Sequence, residues 1–406
     1  MTATKTRKKW LRYRHRVVRN ILYLILCPYL YWKYGIQVEK FRQQGDRAYL
    51  ILLNHQTPMD QFFAGMAFRG PIYYLATEDI FSMGWVSSLI RWLIAPIPIK
   101  KQTTDPSAVM TCIRVAREGG TLCIAPEGNR TYSGRTEYMN PAIAPLAKKL
   151  KLPIALYRLE GGYGVQPRWS DGTRKGKVRG YVAEVIEPEE AEAMTNEELY
   201  ARIQKGLFVD EAVADGQFKS QKRAEYLERA AYICPFCGFS PFESHGNEIT
   251  CTTCGRKVLY GEDKTLTGVG FEFPFRYFAQ WYDYQKDYVN RTDLTALTSK
   301  PLFREIGEVW DVQTGKKKTR LRSGAKLCLY GDRLTVDEDT GDALILPFRE
   351  LQAAAVLGRN KLNVYTKDRV YQFRGGKRFN ALKYVHFYHR HRNLIRGDEH
   401  GEFLGL

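Results

Sequence analysis

From about residue 45 to 210 the chain alternates short apolar runs with stretches whose apolar positions recur every three or four residues. AYLILL (48–53), IYYLA (72–76), TLCIA (121–125), PIALY (153–157) and VRGYVAEVI (178–186) read as strands. MDQFFAGMAF (59–68), DPSAVMTCIRVAREG (105–119), NPAIAPLAKKLK (140–151) and TNEELYARIQKGL (195–207) read as helices, the last opened by a capping box of Thr195 and Glu198. This alternation predicts an α/β fold with a buried sheet flanked by helices.

Beyond residue 210 the pattern changes. QFKSQKRAEYLERAAYI (217–233) predicts a charged connecting helix, and an aromatic stretch, FEFPFRYFAQWYDYQKDY, covers 271–288. LCLYGDRLTV, ALILPFREL, AAAVLGR, KLNVYT and RVYQF then read as short antiparallel strands, with turns at Gly331-Asp332, Gly358 and Lys367-Asp368. One closing helix, about 379–395, carries an inward stripe of Phe379, Leu382, Val385 and Tyr388. By architecture this β-rich segment resembles PH-like or GRAM-type modules. The helix's other side, with His386, His389, Arg390, His391 and Arg392, reads as a solvated basic face. KKKTRLR (316–322) reads as a headgroup-binding stretch or an exposed hairpin edge.

At 406 residues, 44% of them hydrophobic, the chain has room for two or three cored domains. Its formal charge of +18 points to a polyanionic partner, nucleic acid or an anionic membrane surface. The first twenty residues hold eight cations and no acid. The apolar segment that follows, NILYLILCPYLYW (20–32), is interrupted by Pro28 and falls short of the roughly 20 residues a spanning helix needs. A basic amphipathic segment in the headgroup region is expected, peripheral to the cytoplasmic face of the membrane. No small-residue cleavage site follows it, which argues against a signal peptide. FSMGWVSSLIRWL (81–93) reads either as a second membrane contact or as a core helix.

Cysteine usage separates into two kinds. Cys27, Cys112, Cys123 and Cys328 are isolated among apolar residues and read as core thiols of a reducing compartment. Cys234-Pro-Phe-Cys237-Gly and Cys251-Thr-Thr-Cys254-Gly form two knuckles, each followed by a glycine free to take positive φ. Four thiolates so spaced predict a closed, structural Zn²⁺ ribbon, with His245 left outside it. Few aromatics interleave with base-reading residues there, so a structural linker is favoured over nucleic-acid binding.

Two polar turns carry the candidate chemistry. In LLNHQTPMDQFF (52–63) an apolar strand breaks into Asn54 and His55, and Asp60 follows. Thr57 reads as N-cap and Pro58 as first helical residue, which allows Asp60 to cap its own helix or to hold one nitrogen of His55. Unpaired amides at that helix start are candidates for oxyanion stabilisation. In APEGNRTYSG (125–134) Glu127 and Arg130 occupy a glycine-containing turn, again after a strand, either as a local ion pair or as ligand groups. If both strands run parallel, the two turns face one crevice.

Asn54-His55-x4-Asp60, followed about seventy residues later by Pro126-Glu127-Gly128-Asn129-Arg130, resembles the first and third signature blocks of the PlsC-type glycerolipid acyltransferases. The stretches 76–101 and 151–164 resemble the second and fourth blocks, and 180–203 the usual end of that domain. Lys101, Asn129 and Leu156 stand where the family commonly has arginine, threonine and proline. The resemblance implies that His55 is a general base oriented by Asp60, and that Lys100, Lys101, Glu127, Gly128 and Arg130 bind the acceptor. It further implies an acyl-CoA or acyl carrier protein (acyl-ACP) thioester as donor and lysophosphatidic acid as acceptor, giving phosphatidic acid. Another lysophospholipid acceptor, or an adaptor built on an inactive acyltransferase fold, are the alternatives; the presence of His55, Asp60, Glu127 and Arg130 together argues against the second. The expected organisation is a membrane-interfacial segment (1–44), an acyltransferase domain (45–215), a connecting helix (216–233), a zinc ribbon (234–260), an aromatic connector (261–300), a PH-like domain (301–396) and a tail (397–406).

Overall fold

The computed structural model describes residues 9–77, 80–82, 84–99, 105–313, 317–398 and 403. Its N-terminal half is built on β1 (Ile36–Val38), β2 (Leu50–Leu53), β3 (Ile72–Thr77), β4 (Ile97–Ile99), β5 (Thr121–Ile124), β6 (Ile154–Glu160) and β7 (Val178–Ile186). They form one sheet in the order β1-β7-β6-β2-β5-β3-β4. Every neighbouring pair is parallel except β6 with β7. The intervening helices are α1 (Tyr13–Tyr34), α2 (Asp60–Ala67), α3 (Trp85–Ile94), α4 (Pro106–Arg117), α5 (Ile143–Leu150), α6 (Gly162–Val165), α7 (Pro188–Ala193) and α8 (Asn196–Leu207).

The central strand β2 shows how the layers arise. Side chains alternate across a strand, so Leu50 and Leu52 pack with Ile113 of α4, Ala147 of α5 and Ile203 of α8. Ile51 and Leu53 pack on the opposite face with Leu30 and Tyr34 of α1 and Phe63 of α2. The sheet is therefore covered on both sides, as its unbroken apolar strands predict. The capping box at α8 is formed: Glu198 N donates to Thr195 Oγ1 (3.1 Å) and Thr195 N to Glu198 Oε2 (2.7 Å).

The N-terminal segment departs from expectation. Pro28 does not interrupt it; α1 runs through the proline for 22 residues. Tyr23 before it and Leu30 and Tyr34 after it are all buried against the sheet, and this packing outweighs the roughly 3 kcal/mol cost of an interior proline. No described helix is long and apolar enough to cross a membrane. The helix α3 is on the surface rather than in the core: Trp85, Leu89 and Trp92 are exposed.

The predicted helix over 217–233 is absent, apart from a short 3₁₀ turn at Leu227–Arg229. Its backbone groups pair with distant chain instead. Phe218 N donates to Glu262 O (2.8 Å), Lys219 N to Lys175 O (2.9 Å) and Ala224 N to Gly246 O (2.9 Å). Helical periodicity here reflects residues buried by a meandering segment.

Next come β8 (Ile233–Cys234) and β9 (Gly238–Phe239), then an antiparallel sheet of β10 (Phe242–His245), β11 (Glu248–Cys251), β12 (Lys257–Tyr260) and β13 (Leu266–Gly268). The aromatic connector forms a helix, α9 (Phe278–Arg291), whose Trp281 Nε1 donates to Ile233 O at 2.8 Å. A second seven-stranded sheet is antiparallel throughout and curls into a half-barrel. Its strands are β14 (Phe303–Asp311), β15 (Thr319–Leu329), β16 (Arg333–Val336), β17 (Leu344–Pro347), β18 (Ala353–Leu357), β19 (Lys361–Tyr365) and β20 (Val370–Gly375), and α10 (Leu382–Ile395) closes it. One continuous apolar core runs from Tyr132 and Trp169 through Ile249 and Trp281 to Val364 and Val385.

One basic stretch here differs from expectation. His386 and Arg390 on α10 are buried rather than solvated. Tyr232 and Tyr282 hydrogen-bond the two ring nitrogens of His386, and these partners allow an imidazole into the core. The stretch 316–322 is an exposed edge of the β14–β15 hairpin, one of its two expected readings, with Arg320 paired to Glu308 (3.0 Å) and Arg322 to Asp337 (3.1 Å); Lys316 lies outside the described residues.

Candidate functional site

The turn after β2 is organised around one carboxylate. Asp60, fully buried at the start of α2, accepts from Gln56 N and Thr57 N, from Thr57 Oγ1 and from His55 Nδ1 at 2.8 Å. The helix begins at Asp60 with Met59 before it, so Thr57 is not its N-cap. Of the two roles the sequence offers for Asp60, histidine orientation is the one formed; its other acceptors serve the amides of the turn before the helix, not those of the helix start. Because the carboxylate only accepts, Nδ1 of His55 carries the proton and Nε2 keeps its lone pair. Nε2 makes no hydrogen bond among the described residues. Asn54 ties the turn to β6 through a donor and an acceptor: Nδ2 to Leu159 O (2.8 Å), and Leu159 N to Oδ1 (2.7 Å).

The turn after β5 is joined to the first by Glu127. Its two carboxylate oxygens accept from His55 N (2.7 Å) and Glu137 N (2.8 Å), while Thr131 N donates to His55 O (3.0 Å). Both turns thus meet at the carboxyl ends of adjacent parallel strands. Glu127 forms no ion pair with Arg130 among the described residues; it braces the turns. Gly128 has φ +67° and an exposed Cα with open space around it, which leaves backbone accessible at the site rim.

Arg130 is half-buried, and its Nη2 reaches Gly358 O of the half-barrel at 3.4 Å. Arg168 is only 2% exposed and holds the loop from behind. It donates to Arg130 O (2.8 Å), Asn129 Oδ1 (3.3 Å) and Val356 O (3.0 Å), with its guanidinium 4.3 Å from the Tyr132 ring centre. No spacing in the sequence marked Arg168; its Pro-Arg-Trp setting carries no signal of its own. Lys100 and Lys101 lie outside the described residues.

Electrostatics favour a neutral imidazole. Burial pushes the His55 pKa below its usual value; the hydrogen bond and charge of Asp60 oppose this, while Arg130 and Arg168 add to it. Burial raises the Glu127 carboxyl well above the carboxylate range, despite its two amide donors. Before the helix, the amides of Gln56 and Thr57 are engaged by Asp60 and that of Met59 by Thr57 Oγ1.

The four knuckle cysteines converge, their Sγ atoms all within 4.8 Å of one another. Zn²⁺ bound tetrahedrally at about 2.3 Å sets its sulfurs about 3.8 Å apart. The Cys234–Cys254 and Cys237–Cys251 sulfur pairs are 3.9 and 3.6 Å apart, so the donor set fits structural zinc with no open position. Gly238 and Gly255 take positive φ after each knuckle, and His245 is exposed outside the cluster.

The N-terminal half of the chain is similar to known proteins. Residues 35–156 match the family model described as Acyltransferase. The chain's relatives are distant. The chain is similar to the 1-acyl-sn-glycerol-3-phosphate acyltransferase of Bacillus subtilis (27% identity, 24% of this chain, 49% of that one). It is also similar to a chloroplastic 1-acyl-sn-glycerol-3-phosphate acyltransferase of Brassica napus (23% identity, 46% and 55%). The matches span about half the length of these curated relatives. Among solved structures, PlsC of Thermotoga maritima aligns with 48% of this chain and 78% of its own, at 21% identity and a TM-score of 0.41.

Proposed function

We propose that the protein transfers a fatty acyl group from a thioester, acyl-CoA or acyl-ACP, to the free hydroxyl of lysophosphatidic acid, yielding phosphatidic acid. The observation that carries this reading is the His55–Asp60 pair, its imidazole neutral and its Nε2 unengaged, at the same sheet edge as Arg130. In the proposed reaction Nε2 takes the hydroxyl proton, and the oxygen attacks the thioester carbonyl. The C–S bond then breaks, and the thiolate leaves with the proton from the imidazolium. Asp60 keeps Nδ1 protonated and stabilises the charge that His55 gains. Arg130 holds the acceptor's phosphate, with Lys100 and Lys101 proposed beside it. Gly128 leaves room for the acceptor, and Glu127 acts as a positioning residue through the backbone of His55.

An amphiphilic acceptor calls for a membrane surface, and the helix pair α1 and α3 supports one. Tyr13, Val17, Ile21, Leu24, Ile25 and Trp32 form an exposed apolar stripe at helical spacing, opposite the buried stripe of Tyr23, Leu30 and Tyr34. Trp85, Leu89 and Trp92 of α3 extend it, and Arg14 bridges the helices through Trp92 O at 3.0 Å. A contiguous patch of this kind marks an interaction surface. Peripheral attachment to an anionic bilayer is the reading it supports.

The decisive test incubates pure protein with lysophosphatidic acid, other lysophospholipids and both thioester types, and identifies products by mass. Phosphatidic acid formation is expected. Acylation of a different lysophospholipid alone would replace the acceptor, and intact thioester with every acceptor would overturn the reaction.

A further inference from the structure

The tip of the hairpin joining β18 to β19 meets the signature turn of the acyltransferase domain. Gly358 O accepts from Arg130 Nη2 (3.4 Å) and from Arg168 Nε (3.2 Å). The next residue is Arg359, whose Nη1 donates to Asp171 Oδ1 at 3.2 Å. Two guanidiniums therefore converge on one carbonyl, and the residue after it brings a third whose charge reaches Arg130. Among the described residues, the ion pairs of this group reduce to that single carboxylate, which Arg229 already engages at 2.6 Å.

The three arginines are not equivalent. Arg168 has an acceptor for each of its nitrogens and stacks on Tyr132, so it is scaffold. Arg130 Nη1 and Arg359 Nε, by contrast, are buried donors with no partner. Unpaired buried donors on like charges are costly unless an anion takes them up. The mutual repulsion is visible in Arg130: burial first, then Arg168 and Arg359, lower its pKa to about 10. Burial raises the pKa of Tyr34, which also feels the charges of Asp60, Arg130 and Arg359. A guanidinium fork matches phosphate oxygens, and two forks suit a group carrying close to two negative charges.

We propose that Arg359 of the half-barrel and Arg130 of the acyltransferase domain together grip the phosphomonoester of the acceptor, so that the C-terminal half-barrel completes the acceptor site. This rests on the acyl-transfer reading above and adds a specificity: a lysolipid whose headgroup ends in a phosphomonoester is favoured over one with a phosphodiester. The half-barrel thereby gains a role that its architecture alone does not assign.

The test uses the full chain, with lysophosphatidic acid and lysophosphatidylglycerol as acceptors. Loss of one charge-assisted contact predicts that Arg359→Gln raises KM for the monoester about tenfold or more, and raises it distinctly less for the diester. Arg359→Lys restores part of the loss. Asp171→Asn, which removes the ion pair but keeps Arg359, leaves the preference intact. Equal effects of Arg359→Gln on both acceptors, or the same phenotype in Asp171→Asn, would overturn the proposal and make Arg359 a docking contact. A second readout needs no turnover: sn-glycerol 3-phosphate should raise the melting temperature of the wild type but not of Arg359→Gln. Should that variant fail to fold, a wild-type-like shift and wild-type KM in Arg359→Lys would count against the phosphate fork. Wild-type protein that binds glycerol 3-phosphate yet acylates nothing would refute the reaction while leaving the anion site standing.

Discussion

Two seven-stranded sheets share this chain, and only one of them collects its chemistry at an edge. In the N-terminal sheet β2 and β5 are parallel neighbours, so the turns after both emerge on the same side. His55 and Glu127, far apart in sequence, are thereby brought within one hydrogen bond of each other. In the half-barrel every pair is antiparallel, so strand ends alternate and neither edge gathers like turns. That sheet encloses a core and extends one hairpin tip toward its neighbour. Parallel topology assembles a site from separated motifs; antiparallel topology supplies a rigid support from which one loop reaches it.

The contrast is broken most severely at the ribbon between the sheets. Structural zinc in isolated fingers contributes about 10–16 kcal/mol, and here the ribbon's Ile249 and Val258 belong to the core shared with the half-barrel. Cys251→Ser or chelation should therefore lower the melting temperature of the C-terminal half sharply, and metal analysis should find one zinc per chain. A zinc-free protein with an unchanged melting curve would contradict the assignment. Next in size, His55→Ala should reduce turnover by about 10²–10⁴ while leaving the melting temperature near that of the wild type. Asp60→Asn should lose both activity and stability, because Asp60 also holds the amides of its turn.

A smaller effect is expected at the membrane face. Each of Leu24 and Trp32 exchanged for glutamate should remove about 1.5–3 kcal/mol of apolar burial from vesicle binding, read by sedimentation with anionic liposomes. Unchanged sedimentation of the double variant would show that the stripe does not face lipid. Smallest is the pH response. The proposed reaction needs a neutral His55, and its folded pKa lies below the ordinary histidine value, so the acid limb of kcat/KM should fall below about pH 6.5. Activity is then full above that limb and lost as pH drops through it. Removing a neighbouring positive charge, as in Arg168→Met, favours the imidazolium and should move the limb upward by about one pH unit or less.

Much of this was legible along the chain because the signals are local. The apolar run 178–186 is β7 without adjustment, the capping box at Thr195 forms, and the four cysteines cluster as their spacing implies. Where local pattern failed, a distant partner had intervened. The segment 217–233 has helical periodicity but exchanges its backbone bonds with residues near 175, 246 and 262. Pro28 stays inside a helix because the sheet packs against both of its flanks, and His386 lies in the core because two tyrosines satisfy it.

The same division runs through the site. From sequence came its residue types and motifs, His55 and Asp60 within one turn and Glu127 and Arg130 within another, because a strand-to-turn junction is encoded over a dozen residues. Tertiary structure alone decided that Glu127 braces His55 instead of pairing with Arg130, that Arg168 supports the loop, and that a hairpin tip of another sheet brings Gly358 to Arg130. Those relations depend on strand order and on a packed interface between the two halves. Neither is written in the spacing of any short stretch of residues, since both arise from which surfaces exclude water together.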